Sequence, residues 1–201
     1  MILVVGPGGS GQSYFMQFIN GLLHLEYKDR LIYIKYNPLI TNCIINTDKL
    51  KHISSPNKIK TSIDKCIYIF GDPHLSIMSH FRMGWAYALG NPYNLEKKAL
   101  IDYDTYIEIA YKENKDMIGI EWQFDNWSTT KTSFPILFLD FTTILNNTLM
   151  IETFLEKKID FSSFRYRPRT SQKNNDKISI IYDNLYSKMK NISNIKNEMI
   201  K

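Results

Sequence analysis

The chain has few cysteines and no long apolar run. Only Cys43 and Cys66 are present among 201 residues, and their spacing is not that of a metal site. We therefore expect no disulfide framework and a reducing, cytoplasmic setting. No apolar run approaches the roughly 18 residues of a membrane span, so no span is expected. The N-terminal apolar run is short and lacks a basic lead, which favours a core strand over a signal peptide.

Alanine and arginine are also scarce. The chain has 4 Ala and 5 Arg against 20 Lys and 17 Asn, a usage typical of an AT-rich genome such as those of some protists and large DNA viruses. Lysine abundance therefore says little about partners. The positive charge is local, because residues 165–201 carry a net charge of +6 and residues 1–164 one of −1. A small acidic ligand explains this tail as well as nucleic acid would, and no nucleic-acid module signature supports the latter.

Apolar runs alternate with helical patterns along the chain. Four runs have the composition of strands: 2–5, 31–36, 66–70 and 134–139. Four segments have helical recurrence or composition: 13–25, 74–89, 95–119 and 142–157. In the last helix the expected inward residues are Leu145, Leu149, Phe154 and Leu155. The alternation predicts one α/β domain over 1–201, a three-layer P-loop-type domain with a mainly parallel central sheet.

A glycine-rich turn follows the first run and is the strongest local signal. Residues 6–13 fit the phosphate-binding loop G-x-x-x-x-G-K-[ST], except that Gln12 stands at the lysine position. Glycines let backbone N–H groups point into one concavity at the positive end of the next helix. The turn is thus interpreted as a phosphate cradle, with a ligand-free strand-to-helix turn as the alternative. The missing lysine argues against an ordinary ATPase or kinase more than against phosphate binding.

Three turns follow strands and are expected to meet. These are 6–13, 71–73 and 140–143. Because parallel strands point the same way, their carboxyl ends share one edge of the sheet, where α/β folds bind ligands. We therefore expect a ligand site at this edge.

The order of these segments resembles the sulfotransferase family, P-loop proteins that use 3′-phosphoadenosine 5′-phosphosulfate (PAPS) as sulfuryl donor. Segment 5–13 resembles the family's 5′-phosphosulfate loop, with Ser10 and Gly11 in place. Segment 68–82 is similar to the second signature, a strand ending in R-D-P and then a helix with a serine, which falls on Ser79. Segments 122–127 and 134–141 look like the family's tryptophan segment and the strand after it.

The resemblance implies binding of PAPS or adenosine 3′,5′-bisphosphate without a metal, and sulfuryl transfer to a hydroxyl or amine acceptor. The residues implied in cofactor binding are Gly8, Gly9, Ser10, Gly11, Gln12, Ser13 and Ser79. Two departures matter, since the loop's usual cation falls on Gly9 and the R-D-P arginine on Gly71. Their loss removes two charge-assisted contacts of about 1.5–3 kcal/mol each.

Arginines elsewhere are candidates to restore this charge. Arg165, Arg167 and Arg169 follow the last predicted helix, and the family places a basic segment late in the chain over the 3′-phosphate. Arginine suits the task because its guanidinium binds phosphate bidentately. A solvated basic turn is the alternative for this triplet. Arg82, close to Ser79 in sequence, is a further candidate.

Two residues are candidates for the catalytic base. His52 lies in a segment that loosely resembles the family's base-bearing segment, between the loop and the second signature. Its side chain type fits, because histidine has an unperturbed pKa of about 6.5 and can accept an alcohol proton near neutrality. A surface histidine is the alternative. Glu26 is the second candidate, since some carbohydrate sulfotransferases use a glutamate soon after the loop helix.

The sequence therefore leaves three functions open. The first is sulfuryl transfer from PAPS, and the second is a nucleotide-binding or structural protein of the same fold without catalysis. The third is a kinase or NTPase with an atypical loop. The surviving serines keep the first function open, while the missing cations favour the second over the third.

Overall fold

The structure is a computed structural model that describes a small sheet and the helices around it. It describes residues 2–19, 52–60, 62–82, 102–166 and 176–192, and the backbone of 195–196. Several predictions lie outside these residues: strand 31–36, Cys43, Glu26, Arg167 and Arg169.

Three parallel strands form most of the sheet. They are β1 (Ile2–Val5), β2 (Lys65–Phe70) and β3 (Ile136–Asp140), with β2 in the middle. In register, Val5 of β1 lies opposite Tyr68 of β2, and Phe70 lies opposite Asp140 of β3. A two-residue strand, β4 (Ile195–Lys196), pairs antiparallel with β3. The continuous apolar runs form these strands because both faces of a parallel sheet are buried.

Six α-helices occur in the described residues. They are α1 (Gln12–Ile19), α2 (Pro73–Arg82), α3 (Tyr103–Glu113), α4 (Ile120–Thr129), α5 (Thr148–Leu155) and α6 (Asp176–Lys190). Three short 3₁₀ helices accompany them: Pro56–Lys58, Phe141–Asn147 and Phe161–Ser163.

Buried side chains form two clusters, because successive strand residues point to opposite faces of the sheet. One cluster contains Val5 and Tyr68 and includes buried residues of α3, α4 and α6. The other contains Val4 and Ile69 and includes buried residues of α1 and α5. The predicted mixed α/β fold with a mainly parallel sheet is confirmed for the part of the chain that the structure describes.

The prediction for 142–157 is partly wrong. The chain forms the 3₁₀ helix Phe141–Asn147 before α5 begins. Leu145 and Leu149, expected to face inward, are 48% and 69% exposed, whereas Ile144 and Ile151 are fully buried. A 3₁₀ helix has 3.0 residues per turn rather than 3.6, so the buried stripe changes phase where the two helices join. The two inward residues predicted for the last turn of α5 are buried.

The predicted helix over 95–119 ends early. Its described part, α3, stops at Asn114, which adopts the left-handed conformation with φ 43°. Asp116 then accepts hydrogen bonds from the backbone N–H of Glu121 and from the Tyr182 hydroxyl, both at 2.8 Å. These bonds tie the connection between α3 and α4 to α6. Burial raises the pKa of the Asp116 carboxyl.

Candidate phosphate-binding site

The glycine-rich loop joins β1 to α1 through a tight turn. The Ser10 N–H donates to the Pro7 carbonyl at 3.3 Å, which closes the turn. Gly9 and Gly11 have φ values of 78° and 88°, in the region that glycine adopts without steric cost. The first helical bond, from the Phe15 N–H to the Gly11 carbonyl, follows at 3.0 Å. The glycine positions therefore direct the chain from the sheet into α1.

Three loop glycines also pack against neighbouring elements. A Cβ on Gly6 would lie 1.9 Å from the backbone oxygen of Ile69 in β2. A Cβ on Gly8 would lie 2.2 Å from Nε2 of His80 in α2. On Gly11 it would lie 2.5 Å from the Phe141 ring. Close packing alone thus requires glycine at these positions, whether or not a ligand binds.

A cleft of about 50 Å³ lies at the carboxyl edge of the strands. All three strand-following turns contribute to it, so the structure brings them together at one edge. Its lining residues are Gly9, Ser10, Gly11, Gly71, Asp72, Leu75, Ser76, Phe141, Thr142 and Tyr166. A water needs about 10–15 Å³ on this measure, so the cleft has room for a few water-sized groups. That is the scale of a phosphate or sulfate group rather than of a nucleoside.

The cleft offers hydroxyls and one carboxylate, that of Asp72, but no cation among its described lining residues. The Asp72 carboxylate accepts the backbone N–H of His74 at 2.8 Å. At the end of β3, Asp140 accepts the Thr142 N–H and hydroxyl, both at 2.8 Å. It also accepts the Tyr186 hydroxyl at 2.9 Å. Burial, followed by the nearby Asp140 carboxylate, raises the pKa of Tyr186.

His52 contacts the loop although it is 40 residues from Gln12 in sequence. Its Nδ1 lies 3.0 Å from Nε2 of Gln12 and 3.2 Å from the Gly6 carbonyl oxygen. Gln12 is buried, and its Oε1 accepts the Ser10 hydroxyl at 3.0 Å. The residue at the lysine position of the loop motif thus links Ser10 to His52 by hydrogen bonds.

Helix α4 holds the segment that carries His52. The buried Gln123 side chain donates from Nε2 to the carbonyls of Ile53 at 3.1 Å and His52 at 3.3 Å. The Trp127 indole N–H donates to the Ile53 carbonyl at 2.9 Å. The tryptophan segment therefore has a direct structural role, because its side chains bind the backbone carbonyls of His52 and Ile53.

Three further predicted residues lie on α1 and α2. Ser79 is next to the loop, since a Cβ on Gly9 would lie 3.1 Å from the Ser79 Cβ. Arg82, at the end of α2, is exposed. Ser13, in the first turn of α1, is also exposed. The structure thus brings Ser79 to the loop, while the ligand contacts predicted for all three stay predictions.

Arg165 is bound to its own segment. Its backbone N–H donates to the Tyr14 hydroxyl at 3.1 Å, which ties the segment to α1. Its guanidinium donates to the carbonyls of Ser162 and Phe164. The side chain is exposed, and the next residue, Tyr166, lines the cleft. The segment therefore reaches the cleft through Tyr166, and a phosphate contact from the guanidinium stays a prediction.

Sequence reasoning identified Ser79 but missed Ser76 and His80, which share with it the face of α2 that meets the loop. Ser76, Ser79 and His80 are at positions i, i+3 and i+4, which share one side of a helix. The first two lie beside Gly9, and His80 lies beside Gly8. Helical spacing was the signal that could have identified this face.

The described residues contain no group of three histidine, cysteine or acidic side chains placed to hold a metal ion. None of the helices they form has the length and apolar character needed to cross a bilayer. Comparison with protein-family models, curated proteins and solved structures gives no significant match. The sulfotransferase resemblance therefore rests on the residues themselves.

Proposed function

We propose that this chain is a sulfotransferase-like protein that binds the phosphate end of PAPS or adenosine 3′,5′-bisphosphate beside its glycine-rich loop. The proposal includes a three-layer P-loop-type domain as its fold. The observation that carries it is the cleft, which combines Gly9–Gly11, just before α1 begins, with the residues that directly follow β2 and β3. A helix N-terminus at such an edge is the usual place for an anionic group.

Hydroxyl donors support this use of the cleft. Ser10, Ser76 and Thr142 come from three different elements and all line it. A phosphate or sulfate group has several acceptor oxygens, so hydroxyls arranged around it can replace part of its hydration. Each of these hydroxyls now donates to a protein acceptor, so we expect an anion to draw them away from those acceptors. In the absence of the two family cations, the redirected hydroxyls and the α1 dipole would carry the binding.

His52 is the proposed base in the transfer step. In that step the acceptor oxygen attacks the sulfur, the bond from sulfur to the phosphate oxygen breaks, and the bisphosphate leaves with the electron pair. The acceptor's proton goes to the base. The support for His52 is its position against Gln12 and Gly6 of the loop, held by α4. Glu26 is the alternative base.

A second candidate is nucleotide binding without transfer. The support for it is the charge of the cleft, because Asp72 lines it while none of the described lining residues is Lys or Arg. A carboxylate beside the anion opposes binding, and sulfuryl transfer benefits from cations that stabilise the leaving group. The two candidates share the binding site and differ only in whether the chemistry occurs.

Isothermal titration tests the shared part of both candidates. We expect adenosine 3′,5′-bisphosphate to bind more tightly than ATP with Mg²⁺. Tighter ATP binding would favour a kinase or NTPase instead. No binding of either at millimolar concentration, about −4 kcal/mol, would mean that the cleft has no nucleotide role. Gly71→Glu, which adds a negative charge to the cleft, should abolish binding, with Gly71→Ala as the matched control.

A turnover assay separates the two candidates. PAPS is incubated with the protein and a mixture of phenol, amine and sugar acceptors, and release of adenosine 3′,5′-bisphosphate is measured. Release that His52→Gln abolishes, while binding of the bisphosphate persists, supports transfer with His52 as base. Bisphosphate binding without any release supports the second candidate.

A further inference from the structure

With the Gln12 nitrogen facing it, His52 Nδ1 has two neighbours that require different states of this atom. The Gln12 amide nitrogen, 3.0 Å away, only donates, so it requires a lone pair on Nδ1. The Gly6 carbonyl oxygen, 3.2 Å away, only accepts, so it requires a proton on Nδ1. One ring nitrogen carries either a proton or a lone pair. The atoms around Nδ1 can therefore satisfy either state of the imidazole.

The Gln12 amide can satisfy both states. In the first arrangement the Ser10 hydroxyl donates to Oε1, Nε2 donates to Nδ1, and the proton of the neutral imidazole is on its Nε2. In the second the amide is reversed, so that its nitrogen donates to the Ser10 hydroxyl oxygen and its oxygen accepts from Nδ1–H. The same heavy-atom positions accommodate both, because the two ends of an amide have similar size.

Ser10 connects these arrangements to the cleft, which it lines. In the first arrangement its hydroxyl hydrogen is used by Gln12. In the second its oxygen accepts from Gln12, and the hydrogen can donate to an anion in the cleft. An anion therefore stabilises the second arrangement, in which the proton is on Nδ1 of His52 and the other ring nitrogen has the lone pair that a general base needs.

We propose that Ser10 and Gln12 form a hydrogen-bond relay that couples an anion in the cleft to the position of the proton on His52. This inference rests on the proposed function and deepens it. Gln12, at the lysine position of the motif, is then a positioning residue that makes His52 competent as a base when the donor is bound. The exchange is balanced, since the imidazole Nε2 releases a proton to solvent and Nδ1 gains one, and the anion forms no covalent bond.

The relay also links anion binding to protonation of His52. An imidazolium has a proton on both nitrogens, so it cannot accept from Gln12 and fits only the second arrangement. The titratable neighbour from α2 is His80, since one Cβ added to Gly8 would lie 2.2 Å from His80 Nε2 and 3.6 Å from His52 Cε1, and Asp72 lies in the cleft. The groups from α4 are the neutral Gln123 and Trp127. These neighbours are the same in both arrangements, so the orientation of the Gln12 amide makes the difference in where His52 carries its proton.

Nitrogen-15 NMR of the histidine rings tests the relay in the intact chain. Inorganic sulfate is the probe, because it keeps its two charges between pH 5.5 and 8 while phosphate does not. We expect sulfate, at constant ionic strength, to move the proton of neutral His52 to Nδ1 and to raise its measured pKa by about half to one unit. By reciprocity, sulfate should bind about three- to tenfold more tightly at pH 5.5 than at pH 8.

Variants of the two relay residues distinguish the relay from a direct electrostatic effect of the anion on His52. Gln12→Leu and Ser10→Ala should each abolish the sulfate-dependent response of His52. Ser76→Ala is the matched control, since Ser76 lines the same cleft but its hydroxyl donates to the Asp72 carbonyl. It should bind sulfate more weakly but retain the His52 response at saturating sulfate. Circular dichroism and thermal melting establish that each variant is folded, and Ser10→Ala serves if Gln12→Leu does not fold.

Each outcome bears on a different part of the inference. Sulfate or bisphosphate binding that leaves the His52 resonances unchanged would overturn the relay and leave the proposed function standing. A response that persists in both Gln12→Leu and Ser10→Ala would assign the effect to the anion's own field and also overturn the relay. No binding of either probe would overturn the proposed function and the relay with it.

Discussion

Gly71→Arg introduces the arginine that the sulfotransferase R-D-P signature contains, at a position that can accept it. An added Cβ on Gly71 would have the Ser10 carbonyl oxygen at 3.8 Å, an ordinary van der Waals distance. Gly71 does not have a positive φ, unlike Gly9, where the other family cation would stand. A side chain from this position starts in the lining of the cleft. The substitution should therefore add a cation beside the proposed phosphate site without strain.

The expected gain follows from the surroundings of that cation. A hydrogen bond between a guanidinium and a phosphate contributes about 1.5–3 kcal/mol. Here solvent screens part of the interaction, and the adjacent Asp72 carboxylate competes for the arginine. The lower end of the range, about 1.5 kcal/mol, is therefore the expected value. It corresponds to roughly tenfold tighter binding of adenosine 3′,5′-bisphosphate.

Isothermal titration at low and at physiological salt measures this gain. Gly71→Gln is the matched control, because it has a long polar side chain without the charge. Gly71→Ala controls for the loss of glycine. The tenfold gain should appear for arginine alone and should shrink as salt is added, because screening weakens it. A folded Gly71→Arg variant that binds the bisphosphate no more tightly than Gly71→Gln would refute the assignment of the cleft as the phosphate site.

Three further predictions concern stability and the basic segment. Gly6→Ala should lower the free energy of unfolding in urea by about 3 kcal/mol, because the new Cβ lies 1.9 Å from a backbone oxygen of β2. The control Gly71→Ala should change the free energy of unfolding by less than about 1 kcal/mol. Burial raises the pKa of Asp116 above 3.8, so the folded state holds this proton more tightly and the contribution of Asp116 to the free energy of unfolding should fall as pH rises above 3.8. Asp116→Asn should therefore gain stability relative to the unchanged protein over that pH range. In titrations with the bisphosphate, Arg165→Ala should change the affinity less than about twofold, because the Arg165 guanidinium binds carbonyls of its own segment. Alanine at all three arginines of the basic segment should weaken binding about ten- to a hundredfold.

The sequence by itself determined the local elements. The apolar runs at 66–70 and 134–139 correspond to β2 and β3, because a strand buried on both faces needs nearly continuous apolar residues. The glycine-rich turn between β1 and α1 was also readable, since positive φ values at Gly9 and Gly11 demand residues without a side chain. These features depend on neighbours in the chain, so a local pattern is enough to predict them.

Only the tertiary structure decided which distant residues meet. His52 reaches Gln12 because α4 holds its backbone against the loop, and nothing in the spacing of the two residues specifies that contact. Likewise, packing of α2 on the loop, rather than any motif, places His80 against Gly8. The change of helix type before α5 exposed Leu149 against the expectation from a 3.6-residue period. Such contacts are set by strand order and by the faces that helices present to each other, and a linear pattern does not carry that information.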